Sequence, residues 1–176
     1  MDGLGGGPGL LKKMEKDKEA DRRRRTMRGT IIAVCTSQKK GIRKNNVGEA
    51  ELKVDWGIIG DAHADDWHRQ VSLLALESIE KMRALGLNVG PGSFAENLTT
   101  QGMDLLALPL GSQVRVGNEA VLEITQHGKI CHDRCAIYYQ VGDCVMPREG
   151  IFAKVIQGGQ VKAGDTIETV EANEQL

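Results

Sequence analysis

From Gly29 onward the chain alternates short apolar runs with Gly, Asn and Asp. Runs of this length bounded by turn residues predict β-strands at Thr30–Cys35, Gln70–Leu73, Ala95–Thr99, Gln113–Val116, Ala120–Thr125, Ile151–Ile156 and Thr166–Val170. Within RVGNEAVLEI, Gly117 and Asn118 separate two β-type segments and both tolerate positive φ, which predicts a hairpin. Gly158-Gly159 marks another turn before the final strand. One segment changes period: Leu73, Leu76, Ile79, Met82 and Leu85 recur at helical spacing, with Ser72 placed to cap the helix and Gly86 to end it. A helix over about residues 72–86 is expected. No internal repeat of about 20–50 residues occurs, which excludes solenoids and propellers. The expected fold is mainly β, a closed barrel-like sheet with one main helix and short additional helices.

The first residues follow a different pattern. A glycine-rich start, GLGGGPG, leads into KKMEKDKEADRRRR, which has no apolar face to bury, so residues 1–27 are expected to be a disordered charged tail. Interspersed acids favour a solvated tail over a basic arm for an anionic partner. Met27 stands directly before the first strand, so an upstream extension of the true start is a further expectation. The body then runs over 28–170, with a short tail at 171–176.

Composition narrows the class. With 40 % hydrophobic and 27 % charged residues in 176, the chain reads as one globular domain. The 23 basic and 24 acidic residues give a net charge of -1, and aromatics are only 3 %. Neither an electrostatic footprint nor a stacking platform for nucleic acid is present. No apolar stretch approaches the roughly 18 residues that span a bilayer, and the stretch after Leu11 is charged where a signal peptide would be apolar. A cytoplasmic protein with no membrane partner is expected. In that compartment Cys35, Cys131, Cys135 and Cys144 read as free thiols, metal ligands or reactive groups rather than a disulfide framework.

Two polar clusters carry candidate chemistry. GDAHADDWHRQ, Gly60 to Gln70, packs two histidines, three aspartates and an arginine ahead of the apolar helix. Asp61, His63 and His68 are chemically able to ligate a divalent metal. Alternatively His68, Arg69 and backbone N–H groups form an anion-binding loop; a hydrogen-bonded surface loop is the plain structural alternative. The second cluster, Gln126 to Cys144, holds three of the four cysteines. Lys129, His132 and Arg134 flank these thiols, and positive charge favours the thiolate, which is both nucleophile and soft-metal ligand. The Cys131-x3-Cys135-x8-Cys144 spacing with a histidine also permits structural zinc, while a buried inert thiol fits Cys35 best. The basic stretch Lys39 to Lys44, the glycine turn before Glu96 and Asn97, and the turn at Arg148 and Glu149 complete the set. GxGxxG, Walker A, HExxH and GxSxG patterns do not occur.

In order, the body shows a KKG..K loop, GIIGDAHA followed by HRQVSLL, GSFAENLTTQG, the LGSQVRVG and LEITQ pair, the cysteine stretch, GDCVMPREGIFAKV and a closing V.AGD.I. This series, over Gly29 to Glu168, resembles the MOSC domain, named after the C-terminal domain of molybdenum cofactor sulfurases. The resemblance implies a β-barrel-like fold and a central cysteine that carries sulfur as a persulfide or ligates molybdenum of a bound molybdenum cofactor (molybdopterin). Arg134-Cys135 fits the C..RC motif of members whose cysteine ligates molybdenum, and Cys131 stands where simpler members keep theirs. Cys135 is favoured, with Cys144 the weaker candidate. Lys44, His68, Arg69, Asn97, Lys129 and Arg134 are the expected holders of the anionic cofactor.

The resemblance also implies partners: a molybdoenzyme, a cysteine desulfurase or a molybdenum cofactor biosynthesis protein. Neither the pyridoxal-phosphate desulfurase domain of full-length sulfurases nor the β-rich domain preceding MOSC in amidoxime reductases is expected within these 176 residues. Three functions stay open: a cofactor-binding or sulfur-carrying module, a molybdenum-dependent reductase of N-hydroxylated compounds with a separate electron donor, and a zinc-stabilised interaction domain.

Overall fold

The strands close on themselves. The computed structural model describes residues 8–130, 134, 136–171 and 173–176. In chain order these form α1 (Pro8–Arg25), β1 (Arg28–Thr36), β2 (Asn45–Asn46), β3 (Glu49–Lys53), β4 (Gly57–Ile58), β5 (Val71–Ala75), α2 (Leu76–Ala84) and β6 (Leu98–Gln101). A 3₁₀ turn at Leu105–Ala107 precedes β7 (Gln113–Val116), β8 (Ala120–His127), α3 (Ala136–Val141), α4 (Met146–Glu149), β9 (Ile151–Gln157), β10 (Gly159–Lys162) and β11 (Thr166–Thr169). Neighbours run β11-β7-β8-β9-β5-β6-β1, and β1 pairs back onto β11, so seven strands make a barrel. β2 extends the β1 edge, and β10, β3 and β4 form a separate small sheet.

Closure needs bent strands. The β8–β9 ladder shifts register between Val121 and Leu122 and again between Ile124 and Gln126, and β1–β6 shifts between Ile31 and Ala33. Such bulges sharpen twist and turn a ribbon inward. The interior is filled by Ile31, Val34, Leu73, Leu98, Val114, Leu122, Ile124, Ile151, Val155 and Ile167, none more than 1 % exposed. Outside the barrel wall, Ile79 and Met82 of α2 pack with Leu87, Phe94, Ile137, Val145 and Met146 in a second apolar cluster.

These two clusters explain why the main helix begins later than its periodicity predicts. Leu73 belongs to the inner cluster and Leu74 to the outer one, both fully buried. Consecutive side chains facing opposite layers define a strand. So β5 runs to Ala75, Ser72 lies in that strand rather than at a cap, and the helix has no side-chain cap at Ala75. Gly86, at φ 92°, ends it as expected. Similarly β6 begins at Leu98 rather than Ala95, because Ala95 sits at φ 62°, outside the β region.

The β7–β8 hairpin forms with Val116 opposite Ala120. Gly117 takes φ 65°, whereas Asn118 keeps a negative φ, so one left-handed position suffices. A Cβ on Gly117 would stand 2.7 Å from Asp165 Oδ2, so the Asp165 carboxylate, which accepts from the Lys162 N–H, would have to shift. The expected turn at Gly158-Gly159 continues directly into β10, paired with β3. Within the stretch expected to be a disordered tail, Pro8–Arg25 form α1. Its residues 9–20 are all exposed, so its order comes from the helix propensity of Leu, Lys, Met, Glu, Ala and Arg and not from burial.

Leu122→Ala, which empties a fully buried position at the barrel centre, is expected to cost about 3 kcal/mol of stability in a denaturant titration. Leu85→Ala, at an exposed site, is expected to change it by less than about 0.5 kcal/mol.

Candidate functional site

Lys44 follows the basic loop and is drawn fully inside the protein. Its side chain and that of Asp61 are both 0 % exposed and meet at 2.6 Å. Lys44 Nζ also reaches Ser37 Oγ at 3.2 Å and His63 Nδ1 at 3.0 Å. Asp61 accepts further hydrogen bonds from the Ser37 and His63 backbone N–H groups. Burial by itself would raise the Asp61 pKa, but the Lys44 ammonium, the Ser37 N–H and the nearby Asn97 amide bring it below the ordinary carboxylate value. His63 moves down to about 4, first through burial and then through Lys44, with Lys40 and Lys129 adding to the effect and Asp61 opposing it.

The loop before β6 closes the same region from another side. Gly92 accepts a hydrogen bond from the Lys44 N–H, and at φ 85° a Cβ there would stand 2.1 Å from the Lys44 carbonyl oxygen. Only glycine allows that approach. Glu96 is wholly buried and its carboxylate accepts from the N–H groups of Gly92 and Phe94 and from the Thr99 hydroxyl. Burial raises its pKa, while those bonds act in the other direction. Asn97, 1 % exposed, ties β5 to β1: its Oδ1 accepts from the Ser72 N–H and hydroxyl, and its Nδ2 donates to the Cys35 carbonyl.

Above this base lies a cleft of two adjoining lobes. The first, about 310 Å³, is lined by Lys40, His63, Trp67, Arg69, Lys129 and Phe152, with Ser72 and Asn97 behind them. The second, about 480 Å³, is more apolar, with Ile42, Phe94, Ile137 and Met146 facing Arg43 and Arg134. Lys129, Ala95 and Met146 line both. Among the described residues no carboxylate lines either lobe. The Arg69 guanidinium lies 4.7 Å from the Trp67 ring centre and 5.4 Å from that of Phe152, while Lys40 Nζ lies 5.3 Å from the Trp67 ring centre. Arg69 Nε is buried without a hydrogen-bond partner. A buried, unpaired guanidinium N–H is costly in a folded protein and marks a place for an acceptor.

The sequence-expected residues divide accordingly. Arg69, Asn97 and Lys129 line the first lobe, and Lys129 and Arg134 the second. Arg134 also stacks on Tyr138 at 4.2 Å. Lys44 lies beneath the cleft, its ammonium engaged by Asp61, Ser37 and His63. His68 is exposed, bonds Gln126 Oε1 at 2.8 Å and stands edge-on to the Trp67 ring, without lining either lobe. Cys131 and Cys135 lie outside the described residues. Asp61, His63 and His68 do not converge: the Asp61 carboxylate is taken by Lys44, and no group of three metal-ligating side chains occurs among the described residues. Cys35 is the inert thiol expected, pushed up to about 12 chiefly by burial, with Glu96 adding to it and Lys44 opposing. Cys144 is half-buried at the edge of the apolar lobe.

A MOSC domain family model matches residues 59–168, more than half of the chain. The chain belongs to the MOSC family. Its fold is similar to that of YuaD from Bacillus subtilis, with a TM-score of 0.69 and 19 % identity over 82 % of this chain and 97 % of that one. YiiM from Escherichia coli aligns at a TM-score of 0.60 and 24 % identity, covering 82 % of this MOSC chain and 70 % of its own. YiiM from Geobacillus stearothermophilus aligns at 0.60 and 18 %, covering 81 % and 75 %. No curated protein matches the chain. Among the described residues no helix is long and apolar enough to cross a membrane.

His63 supplied only a metal-ligand candidate in the sequence reading, and Trp67, Ser72 and Phe152 supplied none; the density of charge around Trp67 was the available signal. The depressed His63 pKa has a thermodynamic consequence. The unfolded chain binds a proton at this side chain near pH 6.5 and the folded one only near 4, so its contribution to stability falls as pH drops through that window. The difference in Tm between the parent protein and His63→Gln is expected to shift against the parent between pH 6.5 and 4 and to level off below. A constant difference across that range contradicts the assignment.

Proposed function

We propose that this MOSC protein binds the molybdenum cofactor in the two-lobed cleft and presents a thiol there, either to carry sulfur or to ligate the metal. The observation that supports it most is the buried, unpaired Arg69 Nε at the head of a cleft lined by cations and free of carboxylates. An anionic group with several acceptor oxygens, such as the cofactor's phosphate, matches that set, and guanidinium suits bidentate oxyanion contacts. Both lobes fall in the size range of small-molecule sites. When bound, the cofactor supplies a soft metal centre, for which a thiolate is the matching ligand.

Cys135 remains the preferred thiol. Its two chain neighbours, Arg134 and Ala136, both line the second lobe, whereas Ile130, next to Cys131, is 83 % exposed. Arg134 and Lys129 place positive charge on this side of the cleft, which favours a thiolate. In this reading Arg69, Lys40 and Lys129 hold the anion, the apolar wall of Ile42, Phe94 and Ile137 excludes water, and Asn97 with Ser72 keeps the base of the cleft rigid. Sulfur carriage requires a donor such as a cysteine desulfurase and an acceptor such as a molybdoenzyme.

Protein isolated from a host that makes the cofactor is expected to carry molybdenum and pterin, or a reductant-labile gain of one sulfur on Cys135 by intact mass. Cys135→Ser should remove the thiol-dependent signal while leaving the unfolding midpoint in place. Arg69→Ala should weaken pterin retention by about 2 kcal/mol at low ionic strength, and by less as salt screens the contact. Loading that survives Cys135→Ser and disappears in Cys131→Ser transfers the role to Cys131; stoichiometric zinc without pterin replaces the proposal by the interaction-domain reading.

A further inference from the structure

The Lys44 ammonium has three protons and no lone pair. It has three partners: Asp61 Oδ1 at 2.6 Å, Ser37 Oγ at 3.2 Å and His63 Nδ1 at 3.0 Å. The Ser37 hydroxyl donates its own hydrogen to the Lys39 carbonyl at 2.9 Å, which leaves its oxygen free to accept from Lys44. Asp61 is an acceptor by charge. The same logic makes His63 Nδ1 an acceptor, since a protonated Nδ1 would set N–H against N–H. The imidazole proton is therefore on Nε2. No hydrogen bond to that nitrogen occurs among the described residues, and the ring lines the first lobe of the cleft.

We propose that Lys44 locks His63 as a neutral imidazole with its proton on Nε2, and that His63 thereby joins Arg69, Lys40 and Lys129 in a cleft of donors alone that selects the fully ionised form of a phosphate-type or sulfate-type group. This deepens the cofactor reading and rests on it for the natural ligand. Lys44 beneath the ring, with Lys40 and Lys129 across the cleft, opposes a second proton, burial does the same, and Asp61 alone acts in favour. An acceptor for a ligand hydroxyl is missing from the lining side chains: no carboxylate is present among the described residues, and the Ser72 hydroxyl and Asn97 Oδ1 are bonded to each other. A phosphate ester that carries its second proton, bound with a pKa near 6, has nowhere to place it. A sulfate group carries no such proton.

Two measurements test this. Nitrogen-15 imidazole spectra of the unliganded protein, with His63→Gln for assignment, should show one neutral tautomer protonated at Nε2 from pH 5 to 8. A ring protonated at Nδ1, or one that titrates near 6.5, overturns the proposal. Calorimetry with phenyl phosphate and with inorganic sulfate then reads the cleft. Phenyl phosphate should weaken about tenfold from pH 7 to pH 5, following its dianion, while sulfate affinity stays within about twofold. His63→Leu should weaken both by about tenfold. His63→Gln, whose amide can accept from Lys44 and still offer an N–H, should restore most of the loss. Sulfate that tightens at acid pH means a histidinium and overturns the proposal. Failure of both probes to bind, with the Nε2 tautomer observed, overturns the oxyanion cleft, whereas the cofactor reading fails separately, on pterin and molybdenum content.

Discussion

The buried ion pair between Lys44 and Asp61 is the constraint on which the cleft depends. Removing an ammonium and a carboxylate from water costs several kcal/mol per ion, and breaking such a pair by deleting one partner costs about 3–5 kcal/mol. The protein meets that cost with a full set of partners. Three stretches of loop converge on the pair: Ser37 to Lys44, Asp61 to His63 and, through the Lys44 backbone, Gly92. None of these belongs to the barrel proper. Their relative placement comes from charge and hydrogen bonding, and it sets where His63, Lys40 and Ala95 stand around the cleft.

A net charge of -1 conceals how unevenly charge is distributed. Lys40, Arg43, Arg69, Lys129 and Arg134 all line the cleft, no carboxylate does so among the described residues, and Asp61 beneath it is neutralised by Lys44. Trp67 and Phe152 hold the Arg69 guanidinium by its faces, so the side chain is ordered without consuming its N–H donors. That is a distinct solution from fixing an arginine with a carboxylate, which would cancel the charge it was placed to supply.

Much of the barrel was legible because its strands are apolar and bounded by turn residues; Gln113–Val116 is matched residue for residue. What escaped was either too polar or too short to announce itself, as in EAELK and GQVK of the small sheet. The helix start was misplaced for a definite reason: Leu73 and Leu74 fit a helical stripe and a doubly buried strand equally well, and only the two separate clusters decide. Of the residues lining the cleft, Arg69, Asn97, Lys129 and Arg134 were among those the family resemblance implied. His63 as a donor was not, because its role depends on a lysine nineteen positions earlier.

The barrel also has a parity. Seven strands in a closed ring cannot alternate direction all the way round, just as an odd ring of spins cannot be fully antiparallel, so at least one neighbouring pair must agree. That pair is β5 and β6. Parallel neighbours cannot be joined by a tight turn and require a crossover, here α2 and the stretch from Leu85 to Asn97. The Gly92 contact, the Glu96 carboxylate and the Asn97 amide all lie on that return path. An even-numbered barrel could have dispensed with it, and the odd strand count thus obliges the fold to carry the segment from which one wall of the cleft is made.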